Sequence, residues 1–156
     1  MVSFFPGDLY RLGVFMLSDH QTDYGGPVEV ERISVFNLSE FAQLLGMEIT
    51  EAHDGYARVV MDCTGKNNPR GVAHGGAIFA LADQAFGIAA NCGGAIRVAV
   101  SIHIQYISPA TGALVAVAHR VADNGRYSTF RVMVYEKERI IAEFDGVAIQ
   151  VNSPFP

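Results

Sequence analysis

Residues 75–92, GGAIFALADQAFGIAANC, decide how this chain is read. At 100° per residue, Ile78, Leu81, Ala85, Ile88 and Cys92 fall on one face, the apolar stripe of a helix packed on a core. The opposite face carries Gly76, Ala80, Asp83, Gly87 and Ala90: small residues and a single carboxylate. Asp83 interrupts the apolar run, which is also too short to span a bilayer, so the stretch predicts one long central helix. His74 stands immediately before it. The preceding loop, TGKNNPRGVA at 64–73, contains Gly and Pro that exclude regular structure.

On the N-terminal side, Asn37-Leu38-Ser39-Glu40 opens a short helix through Gly46, capped by Asn37 or Ser39. Strands are predicted near Met47–Ala52 and Tyr56–Cys63, joined by a tight turn at His53–Gly55. On the C-terminal side, Val98–Ile107 alternates, with Val98, Val100, Ile102 and Ile104 on one face and Ala99, Ser101, His103 and Gln105 on the other. Strands at Ala113–Ala122, Tyr127–Glu136 and Ile140–Val151 follow, with turns at Asp123–Arg126 and Glu136–Arg139. An antiparallel sheet wrapped on a single helix accommodates this order, so the fold class is α+β. Residues 1–36 differ. They are rich in turn formers (Pro6, Gly7, Gly13, Gly25, Gly26, Pro27) and show no sustained periodicity beyond a short strand at Val28–Val35. They are read as an N-terminal extension, with the domain proper at 37–156.

Composition narrows the function. The 156 residues make one domain; half are apolar and only 17% are charged, below the usual quarter. A small body with that much apolar surface is expected to bury part of it in a homo-oligomer. The net charge of −5 comes from 16 acidic residues against 11 Lys plus Arg, with no basic run. Nucleic acid and anionic membrane are therefore not expected as partners. The start, MVSFFPGDLYRLG, has no basic stretch followed by an apolar one, so no secretion signal is expected and the location is read as cytoplasmic. Cys63 and Cys92 are isolated, and the histidines show no ligand spacing; no metal is expected.

The chemistry is concentrated in NPRGVAHGGAIFALAD, Asn68 to Asp83. Backbone N–H groups at a helix N-terminus, here those of Gly75 and Gly76, are unpaired donors at the positive end of the helix dipole. Glycine admits a ligand to that backbone without a Cβ in the way. A carbonyl oxygen gaining charge there is stabilised by roughly 3–4 kcal/mol per good donor. The Asn68 amide adds a second donor, and His74 orients the loop. Asp83, on the small-residue face, is partly desolvated, which raises its basicity toward that of a general base or nucleophile. Taken singly, each has a bland explanation: a helical Asp is usually solvated, His-Gly-Gly is a common turn, and Asn before Pro is a frequent loop residue. It is their joint spacing that points to chemistry.

That spacing, Asn68, Gly71, His74, Gly75 and Gly76 followed by Asp83 nine residues after the histidine, resembles the hotdog-fold thioesterases of the phenylacetate-degradation (PaaI-like) type. Tyr106-Ile107-Ser108-Pro109-Ala110 looks like the family's Tyr-x-x-Pro-Ala element, and Asn124-Gly125-Arg126 like the turn that follows it. The resemblance covers about residues 38–150. It implies a hotdog fold, an antiparallel sheet around one long helix, and hydrolysis of an acyl- or aryl-CoA thioester with no cofactor beyond the coenzyme A of the substrate. It further implies a homodimer or homotetramer with sites shared between subunits. Gly75 N–H and Asn68 would hold the thioester carbonyl from one subunit, with Gly76 beside them, and Asp83 from the other would activate water or attack. Coenzyme A would lie along the interface with its phosphates toward Arg126 and Tyr127. The pattern departs at one place: where many relatives carry Ser or Thr seven residues before the motif tyrosine, Ala99 stands here. Ser101 is expected two residues along the same strand face, about 7 Å away. The departure keeps a second reading open, a non-catalytic module that binds acyl-CoA. The dehydratase branch of the fold is disfavoured, because no HxxPG-like loop precedes the helix.

Overall fold

The computed structural model describes residues 35–152. Most of the expected N-terminal extension at 1–36, including all but Val35 of the expected strand at 28–35, lies outside the described residues. Residues 35–37 are helical, so Asn37 closes a preceding turn and Ser39 is the cap of α1 (Glu40–Leu44). Its hydroxyl accepts from the N–H of Ala42 at 3.4 Å. Two strands follow, β1 (Met47–His53) and β2 (Tyr56–Met61), then the long helix α2 (Gly75–Asn91). The chain ends in four strands: β3 (Arg97–Tyr106), β4 (Leu114–Asp123), β5 (Tyr127–Glu136) and β6 (Arg139–Gln150).

The six strands form one antiparallel sheet in the order β1-β2-β4-β5-β6-β3. β2 and β3, the strands on either side of α2 in sequence, lie near opposite edges. The helix therefore carries the chain across one face of the sheet and is buried against it. Ile78, Leu81, Ala85, Ile88 and Cys92, the expected stripe, are all buried. They meet alternate residues of the strands: Ala57, Val59 and Met61, then Leu114, Ala116 and Ala118, then Phe130, Val132 and Val134, then Ala142, Phe144 and Ala148. Phe86 is the centre of this layer, 5.3 Å from the Phe130 ring and 5.6 Å from that of Phe144. It fits because the sheet residue beneath it is Gly146, where a Cβ would come within 2.9 Å of the Phe86 ring.

The alternation expected along Val98–Ile107 holds only in its second half. Pairing of β3 with β6 slips between Ala99 and Ser101: Ala99 faces Ala148, whereas Ser101 faces Val147. Val100 is the extra residue of a bulge, and a slip of one residue exchanges the two faces of a strand. Ile102 and Ile104 pack on the core as expected. Beyond the bulge it is Arg97 and Ala99 that point to the helix side, and Val100 is 53% exposed. Arg97 then reaches the C-terminal end of α2, donating from Nη1 to the carbonyl of Ala90 at 3.3 Å, and pairs through Nη2 with Asp123 at 2.9 Å.

Candidate active site

The loop before α2 is closed by its own hydrogen bonds. Asn68 donates its backbone N–H to the Val72 carbonyl at 2.7 Å and accepts at its backbone carbonyl from Gly71 at 2.9 Å. Gly71 has φ +78°, a left-handed conformation suited to glycine. The Asn68 side-chain oxygen accepts from the Arg70 N–H at 2.8 Å. That contact fixes which end of the amide is which, and leaves the NH₂ group as a donor. The loop is moored at both ends: Ala73 N–H donates to Ala110 O at 2.7 Å, and His74 N–H to Lys66 O at 2.8 Å.

His74 is the N-cap of α2, with extended backbone, and its Nδ1 accepts from the Gly76 N–H at 2.9 Å. This corrects one expectation. Gly76 N–H is already satisfied and is not an open donor, because a histidine at the cap position places a ring nitrogen where a capping oxygen would otherwise sit. Gly75 N–H has no acceptor among the described residues. The Gly75 carbonyl is held from the far side by the Tyr106 hydroxyl, which donates to it at 3.0 Å. A groove of about 330 Å³ lies here, lined by Ala73, Gly75, Ile78, Tyr106, Ile107 and Pro109. An N–H left open at a helix N-terminus can stabilise negative charge on a carbonyl oxygen.

Asp83 is half-buried on the small-residue face of α2, one turn from Ala80 and Gly87. Among the described residues nothing donates a hydrogen bond to it or forms an ion pair with it. Burial alone pushes its carboxyl pKa above the ordinary carboxylate range. A basic carboxylate without a partner is suited to taking a proton from water. Within one chain, however, it stands apart from the donors. Eight residues of continuous helix separate Gly75 from Asp83, about 12 Å at the α-helical rise.

Ala99 and Ser101 do not share a face, contrary to expectation, because the Val100 bulge lies between them. Ala99 is on the helix side; Ser101 opens on the outer face of the sheet, in a groove with His103, Thr129 and Arg131. Arg126 and Tyr127 lie at the β4–β5 turn, the guanidinium carbon 5.6 Å from the tyrosine ring centroid. Arg126 borders a groove of about 540 Å³ with Gly125, Ile149, Gln150 and Asn152. The Arg97–Asp123 pair ties this turn to the C-terminal end of α2, the end opposite Gly75. The structure thus gathers Asn68, His74, Gly75 and Gly76 at one end of the helix, leaves Asp83 midway, and sets Arg126 and Tyr127 at the other end. The Tyr106 contact with Gly75 was not anticipated. Its signal was present, since Tyr106 continues the inward phase of Ile102 and Ile104. Among the described residues no group of three or more His, Cys, Asp or Glu could hold a metal ion, and no helix is long and apolar enough to cross a membrane.

Known proteins share both this sequence pattern and this architecture. The model of the thioesterase superfamily matches residues 70–142, which span the end of the donor loop, α2, and the strands through the start of β6. A protein of Archaeoglobus fulgidus, named only provisionally as an esterase, is 34% identical over 133 residues, 81% of this chain and 86% of that protein. The acyl-coenzyme A thioesterase PaaI of Escherichia coli is 32% identical over 117 residues, 71% of this chain and 82% of the relative. Among solved structures, a mutant of the phenylacetic acid degradation protein PaaI from Thermus thermophilus superposes with a TM-score of 0.68 at 32% identity, covering 71% of this chain and 98% of that one. The E. coli PaaI structure superposes with a TM-score of 0.76 over 81% of this chain and 95% of its own; at 24% identity it speaks for the fold alone. Sequence, matched model and architecture agree: the chain belongs to the thioesterase superfamily, as a hotdog-fold member of the PaaI-like type, and with it to the thioester hydrolases.

Proposed function

We propose that the chain hydrolyses an acyl- or aryl-CoA thioester to the free acid and coenzyme A, in a site built from two copies of itself. The observation that carries the proposal is the pair of open groups on α2: a free Gly75 N–H at the helix start and an unpartnered, desolvated Asp83 two turns on. The substrate class comes by similarity to the acyl-coenzyme A thioesterase PaaI.

The thioester carbonyl oxygen accepts from Gly75 N–H and from the Asn68 amide. Asp83 takes a proton from a water molecule as that water forms its bond to the carbonyl carbon. Negative charge moves onto the oxygen, where the two donors stabilise it. Collapse of the tetrahedral intermediate breaks the carbon–sulfur bond, and the proton held on Asp83 goes to the departing thiolate. Direct attack by the carboxylate, with water then opening the anhydride, uses the same groups.

Both groups must lie about 3 Å from one reacting centre. The ~12 Å of helix between them in one chain supports a site that pairs Gly75 of one copy with Asp83 of a second. The strand β3 supports the same reading: it is an edge strand, paired on one side only, with Val100 and Tyr106, and Ile107 just after it, each 53% exposed. Arg126, beside the groove at the other end of α2, supplies positive charge for the coenzyme A phosphates in a protein of net charge −5.

The non-catalytic alternative rests on one observation, the alanine at position 99. A thiol-release assay across short, medium, long and aromatic acyl-CoAs decides between them. Turnover that disappears in Asp83→Asn is the expected result. Tight binding of acyl-CoA without thiol release on any substrate would establish the binding module instead.

A further inference from the structure

The first two residues of α2 are both glycine. Glycine loses the most conformational freedom when ordered, and the first turn of a helix lacks half of its hydrogen bonds, so a Gly-Gly start is a loose platform for a donor that must be held still. In this protein the peptide unit between Gly75 and Gly76 is gripped from both sides. His74 Nδ1 accepts the Gly76 N–H at 2.9 Å, and the Tyr106 hydroxyl donates to the Gly75 carbonyl at 3.0 Å. The Tyr106 ring also closes on the Gly75 backbone, since a Cβ built on Gly75 would sit 3.4 Å from the ring carbon bearing the hydroxyl. Tyr106 comes from the edge strand β3, 31 residues further along the chain, and is itself more than half exposed. The packing of β3 on the core is carried by Ile102 and Ile104, which leaves the tyrosine hydroxyl without a core role.

We propose that Tyr106 is a positioning residue that holds the Gly75 N–H in the direction of the reacting carbonyl oxygen, a role that rests on the thioesterase reading above. The Gly75 N–H belongs to the preceding peptide unit, joined to this one at the Gly75 Cα; with the carbonyl side anchored to β3, rotation at that joint is restrained and the amide keeps one orientation. A donor that swings off line loses most of its hydrogen bond. Because the full oxyanion exists only in the transition state, the loss falls on kcat rather than on KM.

Tyr106→Phe keeps the ring and removes the hydroxyl. The expected result with an acyl-CoA that the wild type hydrolyses is a kcat about tenfold lower with KM within about twofold, a loss confined to the transition state. In the same folded variant, amide exchange measured by NMR should accelerate at Gly76 while the amides of Ala85–Ile88 in the middle of α2 keep their wild-type rates. A purely structural role would accelerate both sets together and would overturn the proposal. Wild-type turnover with Tyr106→Phe within twofold of its kcat overturns the role of Tyr106 alone. A wild type that releases no thiol from any acyl-CoA overturns the thioesterase reading and this role with it.

Discussion

Asp83 sits where the fold disfavours its charge. Burial raises its carboxyl pKa and no described donor offsets that. For a group whose folded pKa is raised, its contribution to stability is full below the ordinary carboxylate range and is lost as pH rises through the folded value. Asp83→Asn is therefore expected to unfold at a higher temperature than the wild type at pH 8, with the gap closing toward pH 4; a gap that does not widen with pH would contradict the burial argument. On the proposed mechanism the same substitution removes the base, and kcat should fall by about a thousandfold, within the range of general-base contributions. In the wild type, kcat/KM should fall on the acid side with a midpoint above the ordinary carboxylate range, where Asp83 takes up its proton. Ala99 allows a second test. It lies on the helix side of β3 and is exposed, so a hydroxyl has room there. Ala99→Ser is expected to raise kcat by up to about tenfold, equivalent to 1.4 kcal/mol, with KM unchanged. An unaltered kcat would mean that the water is held by another group.

Helix and sheet meet closely where Phe86 lies over Gly146. A methyl group added to Gly146 would press on the Phe86 ring at 2.9 Å and on Phe144 at 3.1 Å, and both rings are fully buried. Gly146→Ala should therefore destabilise the domain by about 1–3 kcal/mol, the usual cost of overpacking. The urea midpoint would drop while the slope stays the same. At the end of β5, Glu136 accepts from the N–H groups of Thr111 at 2.8 Å and Gly112 at 2.6 Å and pairs with Arg139. These contacts, that with Thr111 foremost, hold its pKa down to about 2 against an ordinary 4.5. A depressed pKa contributes stability above the ordinary value that is lost as pH falls toward the folded one. Glu136→Gln should thus weaken the domain at neutral pH and flatten its loss of stability between about pH 4.5 and 2, as followed by thermal unfolding. The contact also steadies the segment after Tyr106, and so reaches the groove beside Gly75.

At the scale of the whole molecule, the groups that the proposed mechanism brings together are spread over the length of α2. Gly75 and Asn68 are at its start, Asp83 is two turns on, and Arg126 is near its far end. In the proposed site they converge by pairing with a second copy whose helix runs the other way. Light scattering is expected to give at least a dimer, and a species of 16.8 kDa at micromolar concentration would contradict this. Mixed dimers make the sharper test. On the proposed mechanism, Asp83→Asn and Asn68→Ala disable opposite halves of each site. Co-assembly of the two inactive variants should restore about one quarter of wild-type activity, since half of the dimers are mixed and each keeps one intact site under two-fold symmetry. No recovery on mixing would mean that each site belongs to one chain.

The helix, the order of strands around it and the cluster before Gly75 were legible in the sequence because they rest on local rules. Ile78, Leu81, Ala85, Ile88 and Cys92 repeat at the helical period, and Asn68, His74 and Gly75 lie within eight residues of one another. Alternation along 98–107 was a local reading too, and it failed at Val100. The face a residue presents there depends on the register with β6, more than forty residues away, and one extra residue exchanges the faces. So Arg97 turns inward, and Ser101 leaves the side on which Ala99 lies. Only the tertiary structure decided that His74 closes the Gly76 N–H while Gly75 stays open, since that depends on a ring rotamer and a cap geometry. The same holds for the Tyr106 hydroxyl at Gly75. Composition and period say which residues seek the core, but a hydrogen bond between positions 31 residues apart exists only once the sheet has brought β3 alongside the start of α2.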